Sequence, residues 1–384
     1  MKASSSLSAL FIATLLAACG GGGGSSSDAP APPPPSPPTL SASGATSVIT
    51  NTRYRYEAAL SDGTTSVFQW TWGDSTPTDT VNPADKVWRQ VGEFSASVST
   101  TVAGQALTSE LGVTAVGEPV SAGNFHSCAL QPDRTVDCWG DNFAGQLGDL
   151  TNNDRRTPVP VTGLSDAAAL ATGSQHSCAL RTNGSVVCWG RGAEGQLGNN
   201  ALADTTSPVQ VLLLANVTAI AAGANHTCAV RGGGVVCWGA NSWGQLGNGG
   251  DSDSSTFVEV ADLSDAVGVV AGQHHTCALR DRGGVLCWGR NQLGQLGNGI
   301  GAGNPFPGTV NDLPAMVSLV AGSNHTCGIT DAGTPAGQVL CWGDNASLIG
   351  DLLAGDPSLP LNVIGLDNAI TLAAGAAHTC ALKA

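Results

Sequence analysis

Histidines and cysteines are the residues of this chain whose types and spacing could carry chemistry. A histidine followed by Ser or Thr and then by a cysteine recurs at His126, His176, His226, His275, His325 and His378. Imidazole nitrogens and thiolates are the ligands that zinc prefers in proteins. A metal site is therefore the first chemistry to consider, and it requires that several of these side chains meet.

The cysteines fall into local pairs whose spacing argues against zinc. The pairs are Cys128 with Cys138, Cys178 with Cys188, Cys228 with Cys237, Cys277 with Cys287, and Cys327 with Cys341. A zinc site would show close Cys-x-x-Cys spacing, whereas the extra residues of the longest pair fall at a turn, residues 330–337. Two cysteines that face each other across a hairpin tolerate such a longer turn. We predict disulfides between non-hydrogen-bonded strand partners in an oxidising compartment, with free core cysteines as the alternative. Cys380 is left without a local partner.

No residue set indicates catalysis or a cofactor. The chain contains no Gly-x-Ser-x-Gly, P-loop or His-Glu-x-x-His motif, and no carboxylate pair stands out as catalytic. The acidic segment Asp251-Ser252-Asp253 lacks the full ligand set of a calcium loop. Only 11% of the residues are charged and the net charge is −14, which argues against nucleic-acid binding. The sequence therefore predicts a non-enzymatic protein with no catalytic residue, metal or cofactor.

The N-terminal residues predict an export signal and a membrane anchor. A basic start is followed by an apolar run, Leu7 to Ala18, that is too short to span a bilayer. The sequence Leu16-Ala17-Ala18-Cys19 resembles a bacterial lipobox. That resemblance implies a signal peptide over residues 1–18, cleavage before Cys19 and a lipid on Cys19; an ordinary secretory signal is the alternative.

A tether follows the lipobox over residues 19–39. Its glycines and serines predict flexibility, and its proline run predicts an extended segment of about 30 Å. The expected location is the cell envelope outside the cytoplasm, on the outer membrane or the cell surface. The lipid on Cys19 would make the membrane one partner.

Residues 40–116 predict a small β-sandwich. Short alternating segments are separated by turn residues, as in all-β folds. The run Trp70-Thr71-Trp72-Gly73-Asp74, a later Trp88 and the segment Gly92-Glu93-Phe94-Ser95-Ala96-Ser97-Val98 resemble an Ig-like PKD domain. In PKD domains Phe is usual where Trp72 stands and Gly is usual where Ser75 stands. The resemblance implies a spacer or a weak adhesion module.

Residues 117–384 repeat one unit at a step of about fifty residues, which is the sign of a repeat architecture. Each unit contains an apolar segment, the His-Ser/Thr-Cys strand, a Cys-Trp-Gly strand, the sequence Gly-Gln-Leu-Gly, a variable polar loop and a second apolar segment. Four strand candidates per unit match one propeller blade. One histidine per blade would lie too far from the next to share an ion. Each histidine is therefore predicted to form a hydrogen bond at a blade junction.

These motifs resemble the regulator of chromosome condensation repeat family. Ala221-Ala222-Gly223-Ala224-Asn225-His226-Thr227, Trp238-Gly239 and Gly244-Gln245-Leu246-Gly247 carry the resemblance. It implies a β-propeller, seven-bladed in that family, of which this chain shows five full blades and a partial one. The paired cysteines stand where aliphatic residues are usual. A closed ring requires further strands or borrowed ones, for which residues 107–120 are candidates.

Function is predicted to lie in the variable loops, because repeats that keep a framework and vary their loops often bind partners there. The loops are residues 149–157, 199–207, 248–257, 298–307 and 351–358, and the partner is an unknown protein or glycan. The anchor candidates are Arg155, Arg156, Trp243, Phe257 and Phe306, since Arg and aromatic residues dominate binding hot spots.

Two alternatives come from resemblance alone. A secreted β-lactamase inhibitor protein has a similar fold, which suggests inhibition of an extracellular enzyme. The namesake of the repeat family exchanges nucleotide on a small GTPase. The export signal, the cysteine pairs and the acidic charge of this chain disfavour the exchange activity.

Overall fold

The computed structural model describes residues 38–50, 53–74, 78–88, 92–116, 119–331, 337–344 and 358–383. The predicted signal peptide, Cys19 and residues 19–37 of the tether lie outside the described residues. Every regular element in the described part is a β-strand. None of its segments forms a helix long and apolar enough to cross a membrane.

Residues 40–116 form two sheets that share one hydrophobic core. The strands are β1 (Leu40–Ser43), β2 (Ser47–Ile49), β3 (Arg53–Leu60), β4 (Gln69–Thr71), β5 (Ala84–Val87), β6 (Gly92–Val102) and β7 (Gln105–Val116). One sheet has the order β1-β3-β5 and the other β2-β7-β6-β4. Tyr56, Trp70, Trp72 and Trp88 are buried between them, as alternation along the strands predicts.

The repeat region forms one antiparallel sheet per unit, with the strands of each unit adjacent in chain order. Unit 1 contains β8 (Val120–Ala122), β9 (His126–Leu130), β10 (Val136–Gly140) and β11 (Arg155–Pro160). Unit 2 contains β12 (Ala167–Thr172), β13 (His176–Arg181), β14 (Val186–Gly190) and β15 (Thr205–Gln210). Unit 3 contains β16 (Val217–Ala222), β17 (His226–Arg231), β18 (Gly234–Gly239) and β19 (Ser254–Glu259).

Units 4 and 5 have the same four-stranded plan, and unit 6 has two described strands. Unit 4 contains β20 (Ala266–Ala271), β21 (His275–Arg280), β22 (Val285–Gly289) and β23 (Asn304–Thr309). Unit 5 contains β24 (Met316–Ala321), β25 (His325–Thr330), β26 (Val339–Gly343) and β27 (Leu361–Asn362). Unit 6 contains β28 (Ala369–Ala374) and β29 (Thr379–Lys383).

This meander places the first turn and the third loop of each unit at the same end of its sheet. The first turn joins strands one and two, and the third loop joins strands three and four. The first turns of all six units line one cavity of about 500 Å³. The units therefore surround a common axis, and the third loops stand farther from that axis at the same end.

The variable loops are shorter than the sequence predicts, because their last residues already belong to the fourth strand. In unit 1 the third strand bulges after Cys138, so that Gly140 pairs with Arg155. Equivalent bulges occur in units 2, 3 and 4. Because a bulge interrupts this pairing, the first residues of the fourth strand show no alternation of apolar and polar side chains. The sequence therefore gives no sign that they belong to a strand. Residues 351–357 of the fifth predicted loop lie outside the described residues.

The alternative that residues 107–120 close the ring is wrong. Strand β7 (Gln105–Val116) pairs with β6 and β2 in the N-terminal sheet. Residues Val120–Ala122 form β8 and pair with β9 within unit 1. In the described part of the chain neither segment pairs with a strand of unit 6.

Candidate functional site

The five predicted cysteine pairs meet across hairpins inside their own units. Disulfides join Cys128 to Cys138, Cys178 to Cys188, Cys228 to Cys237, Cys277 to Cys287, and Cys327 to Cys341. Their Cα–Cα distances are 4.0–4.1 Å, closer to the spacing of about 4.5 Å between non-hydrogen-bonded partners in an antiparallel sheet than to the spacing of about 5.5 Å between hydrogen-bonded ones.

These disulfides are buried in the units that they cross-link. The ten side chains are at most 2% exposed, whereas Cys380 has no disulfide and is exposed. The alternative of free core cysteines therefore does not hold for the paired positions. The pairs are internal cross-links and offer no reactive thiol.

Five of the six recurring histidines, His126, His176, His226, His275 and His325, lie at contacts between neighbouring units, where the sequence predicts hydrogen bonds, whereas His378 is exposed. The Nε2 atom of His176 lies 2.9 Å from the hydroxyl of Thr227 in the next unit. That hydroxyl donates to the backbone oxygen of Gln196, which also accepts the indole N–H of Trp238. Equivalent contacts centre on Gln146, Gln245 and Gln295. At each of these contacts, His, Thr, Gln and Trp of the repeat motif therefore form one hydrogen-bonded junction between two units, which we call a joint.

Each joint fixes the tautomer of its histidine. A hydroxyl carries one proton, and Thr227 gives that proton to the oxygen of Gln196. The Nε2 atom of His176 must therefore carry the proton that it shares with Thr227. Burial lowers the pKa of His176, His226 and His275 to about 3, with a smaller contribution from neighbouring histidines. These imidazoles are neutral near pH 7, and their role is structural.

The last glycine of Gly-Gln-Leu-Gly is required by the same joint. Gly247 has a φ of +70°, a left-handed conformation that side chains disfavour. A Cβ atom there would lie 2.7 Å from the indole nitrogen of Trp288. The indole N–H must approach the backbone oxygen of Gln245 closely, and only glycine leaves the space. The recurring motif is thus explained by packing alone.

One position next to this motif is held in the same way in units 1 to 4 but carries a different side chain in each. It is the residue before Gly-Gln-Leu-Gly, occupied by Ala144, Glu194, Trp243 and Leu293. Its backbone N–H donates to the side-chain oxygen of the glutamine two residues later. A constant backbone with a changing side chain is where a repeat protein can place recognition residues.

Trp243 is the aromatic residue at this position, and two side chains of unit 4 lie against its ring. It is 38% exposed. The guanidinium of Arg290 lies 5.0 Å from the Trp243 ring centroid, and the His274 ring centroid lies 6.4 Å from it. Gln292 accepts two hydrogen bonds from Arg290 and fixes the guanidinium. Burial, and then the charge of Arg290, lower the pKa of His274.

Trp243 lines a recess between units 3 and 4, which we call the rim recess. Its volume is about 430 Å³. The lining residues are Ser242, Trp243, Gly244, Gly249, Gly250, Asp251, Gly303 and Pro305. A Cβ atom on Gly249 would lie 2.4 Å from the ring of Phe306, so Phe306 borders the same place. The rim recess thus combines an indole ring, a carboxylate, a hydroxyl and exposed backbone.

The structure brings two of the five predicted anchors together, Trp243 and Phe306. Phe306 lies on β23 and is 50% exposed. Phe257 lies on β19, packs against the core between units 2 and 3, and stacks with Arg231 at 5.3 Å. These two phenylalanines belong to strands and were predicted in loops.

Arg155 and Arg156 stand apart from the rim recess, at the start of β11. Arg155 pairs with Asp149 at 2.8 Å. Burial opposes ionisation of Asp149, but hydrogen bonds from Thr151 and Arg155 hold the pKa of that carboxyl below its usual range. Arg155 therefore braces its own loop, whereas the neighbouring Arg156 is exposed.

The axial cavity offers little chemistry. It is lined by small residues of the first turns, together with His378 and Cys380 of unit 6. Within the described ranges, no group of three or more His, Cys, Asp or Glu side chains lies close enough to hold a metal ion.

Sequence reasoning missed Arg290 and His274 as neighbours of Trp243. His274 directly precedes a recurring histidine, and Arg290 directly follows a recurring Trp-Gly. These fixed offsets place both residues at the loop end of their sheet, a signal that could have been used. Their contact with a residue of the preceding unit has no local mark in the sequence.

Comparison with known proteins agrees with this architecture. A sequence profile described as the RCC1-like domain matches residues 54–382. It includes strands β3–β7, although these strands lack the cysteine hairpin and the four-stranded order of the units. No curated protein matches the chain.

Three solved structures resemble the fold. Yeast RCC1 (Prp20) bound to Kap60 has 20% identity and a TM-score of 0.57, covering 77% of this chain and 79% of that one. Prp20p from Saccharomyces cerevisiae, described with its binding to Gsp1p and histones, has 19% identity and a TM-score of 0.57, covering 81% and 89%. Human WBSCR16 has 19% identity and a TM-score of 0.61, covering 83% and 99%.

At these identities the likeness establishes the fold only. The profile match, however, spans more than half of the chain, and the repeated four-stranded sheets agree with it. The chain belongs to the RCC1-like domain family of propeller-type proteins.

Proposed function

We propose that this protein is a non-enzymatic binding protein that presents the third loops of its units to a protein or glycan. The observation that carries the proposal is the position before Gly-Gln-Leu-Gly, where a constant hydrogen bond holds Ala, Glu, Trp and Leu in turn. Packing explains the rest of the motif but not this variation. The yeast relative described with Kap60, Gsp1p and histones supports protein binding as a use of the fold.

The proposed setting is the cell surface. A signal peptide over residues 1–18, a lipid on Cys19 and a tether over residues 19–39 would hold the folded part away from an outer membrane. Five buried disulfides fit an oxidising compartment. Labelling of intact cells with an antibody to the folded part, together with the mass of the lipidated N-terminal peptide, tests this setting.

The proposed division is a PKD-like sandwich over residues 40–116 and a propeller over residues 117–384. The two sheets of the first part have their own core, centred on four large aromatic residues. We propose that this part is a spacer. The propeller would comprise five full blades and a partial one in the described part of the chain.

The binding proposal is tested by exchanging the loop tips. The segments 150–153, 200–203, 249–252 and 299–302 are replaced together by Gly-Ser sequences of equal length. The replacement leaves Asp154, Asp204 and Asp253, whose carboxylates accept backbone N–H groups at the loop bases. Crosslinking on cells followed by mass spectrometry should recover partners with the parent chain and lose them with the exchanged chain.

The matched control exchanges the hairpin turns at the opposite end of the sheets, residues 182–185 and 281–284. This control should retain the partners. Equal recovery by all three chains would refute the loop assignment. Turnover of a glycan or peptide by the parent chain would refute the non-enzymatic role.

A further inference from the structure

We infer that the rim recess is a subsite for one neutral sugar ring of a glycan, an inference that rests on the proposed binding function. The first support is Trp243 itself. A partly exposed indole offers a flat apolar face beside polar groups, as a pyranose ring with apolar C–H faces and a hydroxyl rim requires. Its orientation is fixed by Arg290 and His274, so little side-chain entropy is lost on binding.

The second support is the floor of the recess. Gly244, Gly249, Gly250 and Gly303 contribute no side chain beyond Cα, so a ring can approach the backbone closely. Gly244 could not carry a side chain, because its Cβ atom would lie 2.5 Å from Pro305. Contact with unit 4 therefore fixes Gly244 and Gly249, whereas Gly250 belongs to the loop tip.

The third support is the polar rim. Ser242 and Asp251 are exposed and line the recess. Within the described part of the chain, Asp251 has no ion pair. A carboxylate accepts strong hydrogen bonds from sugar hydroxyls, and the serine hydroxyl can donate or accept. A few convergent polar groups beside an apolar face are typical of small-molecule subsites.

Charges of both signs, Arg290 and Asp251, border the recess, so that an acidic or a cationic ligand meets one group that repels it. The carboxylate of Asp251 and the net charge of −14 oppose an acidic sugar or a phosphate. A quaternary ammonium ligand would also use aromatic rings, but the guanidinium of Arg290 already lies against Trp243 and would repel it. A neutral pyranose meets neither penalty. Because Ser242, Asp251 and Gly303 at the edge of the recess are exposed, an internal ring of a longer chain can enter.

The test is isothermal titration calorimetry of the purified full chain with four neutral hexasaccharides (hexaoses), built from glucose, mannose, xylose and N-acetylglucosamine. At least one hexaose should bind. Trp243→Ala should weaken that binding at least tenfold, and Asp251→Asn should weaken it by a smaller factor. Leu212→Ala is the control, because Leu212 is 43% exposed and lies between β15 and β16, outside the third loops. It should leave the affinity unchanged.

Circular dichroism and the mass of the intact disulfides establish that each variant is folded. Failure of all four hexaoses to bind at millimolar concentration would overturn the inference, as would equal affinity of the parent and Trp243→Ala chains. The partner crosslinking described above separates this outcome from failure of the binding function. Partners lost with the exchanged loops but retained by Trp243→Ala would uphold the function and reject the sugar subsite.

Discussion

At the residue scale, five of the six recurring histidines are buried hydrogen-bonding residues, whereas His378 is exposed. The Nε2 atom of each of the five contacts a hydroxyl of the next unit, and their Nδ1 atoms have no partner in the described part. Protonation would place a charge in a buried joint. The low pKa values follow from this burial.

The first prediction is acid sensitivity that begins near pH 6.5. The folded pKa of His176, His226 and His275 is about 3, below the unfolded value of about 6.5. At the same pH the unfolded chain therefore binds protons at these histidines that the folded chain does not bind. The stabilisation is complete above pH 6.5 and declines as the pH falls. At pH 5.5 the loss is about 1.4 kcal/mol per histidine.

Urea unfolding at pH 7.5, 6.5 and 5.5 measures this loss. The pKa values of Asp149 and Asp265 are lowered in the fold, so these carboxylates affect stability only below this window. A free energy of unfolding that stays constant from pH 7.5 to 5.5 would contradict the assignment of neutral buried histidines.

At the element scale, units 1 to 5 each contain a cross-linked hairpin, and units 1, 3 and 4 each contain a third loop fastened by a buried asparagine. The disulfide joins the second and third strands, and a buried side chain holds the third loop. In unit 3 that side chain is Asn241, which accepts the N–H of Leu246 and donates to Gly250. In unit 2 Gly192 occupies the equivalent position, so the fastening is not identical in every unit.

The second prediction concerns the cysteines. Native protein treated with iodoacetamide should be labelled at Cys380 and at none of the ten paired cysteines, because those are bonded and buried. Peptide mass spectrometry identifies the labelled site. After reduction in denaturant the ten paired cysteines and Cys380 should all react. Labelling of a paired cysteine under native conditions would show that its disulfide is incomplete.

The third prediction is local loosening in Asn241→Ala. This change removes the side-chain bonds to Leu246 and Gly250 and leaves the N–H of the buried Leu246 unpaired, at a cost of about 1–3 kcal/mol. Hydrogen exchange at Leu246 and in the loop 248–253 should accelerate, whereas the loop of unit 4 should be unchanged. Asn225→Ala, in the first turn of the same unit, provides the comparison, and uniform acceleration throughout the chain would contradict a local role.

At the scale of the whole molecule, residues 40–116 and the units have separate cores. The cores of the units are shared between neighbours, as Trp288 of unit 4 packs against Cys228 and Leu246 of unit 3. The core of residues 40–116 contains an ion pair between Lys86 and Asp74, each 6% exposed and 2.7 Å apart. Lys86 also lies 5.1 Å from the Trp88 ring centroid.

The fourth prediction is that Lys86→Met destabilises residues 40–116 selectively. Removing one charge of a buried pair costs about 3–5 kcal/mol, because the remaining charge stays in a site of low polarity. Calorimetry of the full chain should show one thermal transition shifted down while a second, from the disulfide-linked units, stays in place. Arg156→Met, at an exposed position, should shift neither transition, and a common shift of both would show that the two parts unfold together.

The sequence by itself determined what is encoded between near neighbours. The recurring strand patterns predicted an all-β repeat, and cysteines nine to fourteen residues apart predicted hairpin cross-links, from Cys228 with Cys237 to Cys327 with Cys341. The same local order placed Trp70 in the N-terminal core and the motif histidines at junctions. These features follow from strand alternation and turn length, which can be recognised within about fifteen residues of sequence.

Only the tertiary structure decided which residues of different units meet. Thr227 lies 51 residues from His176, and Trp243 meets Arg290 from the next unit. Such contacts depend on how one sheet packs on another, and no local pattern records that packing. For the same physical reason Phe257 and Arg155 proved to be engaged in the scaffold, whereas Trp243 and Phe306 came to border one recess.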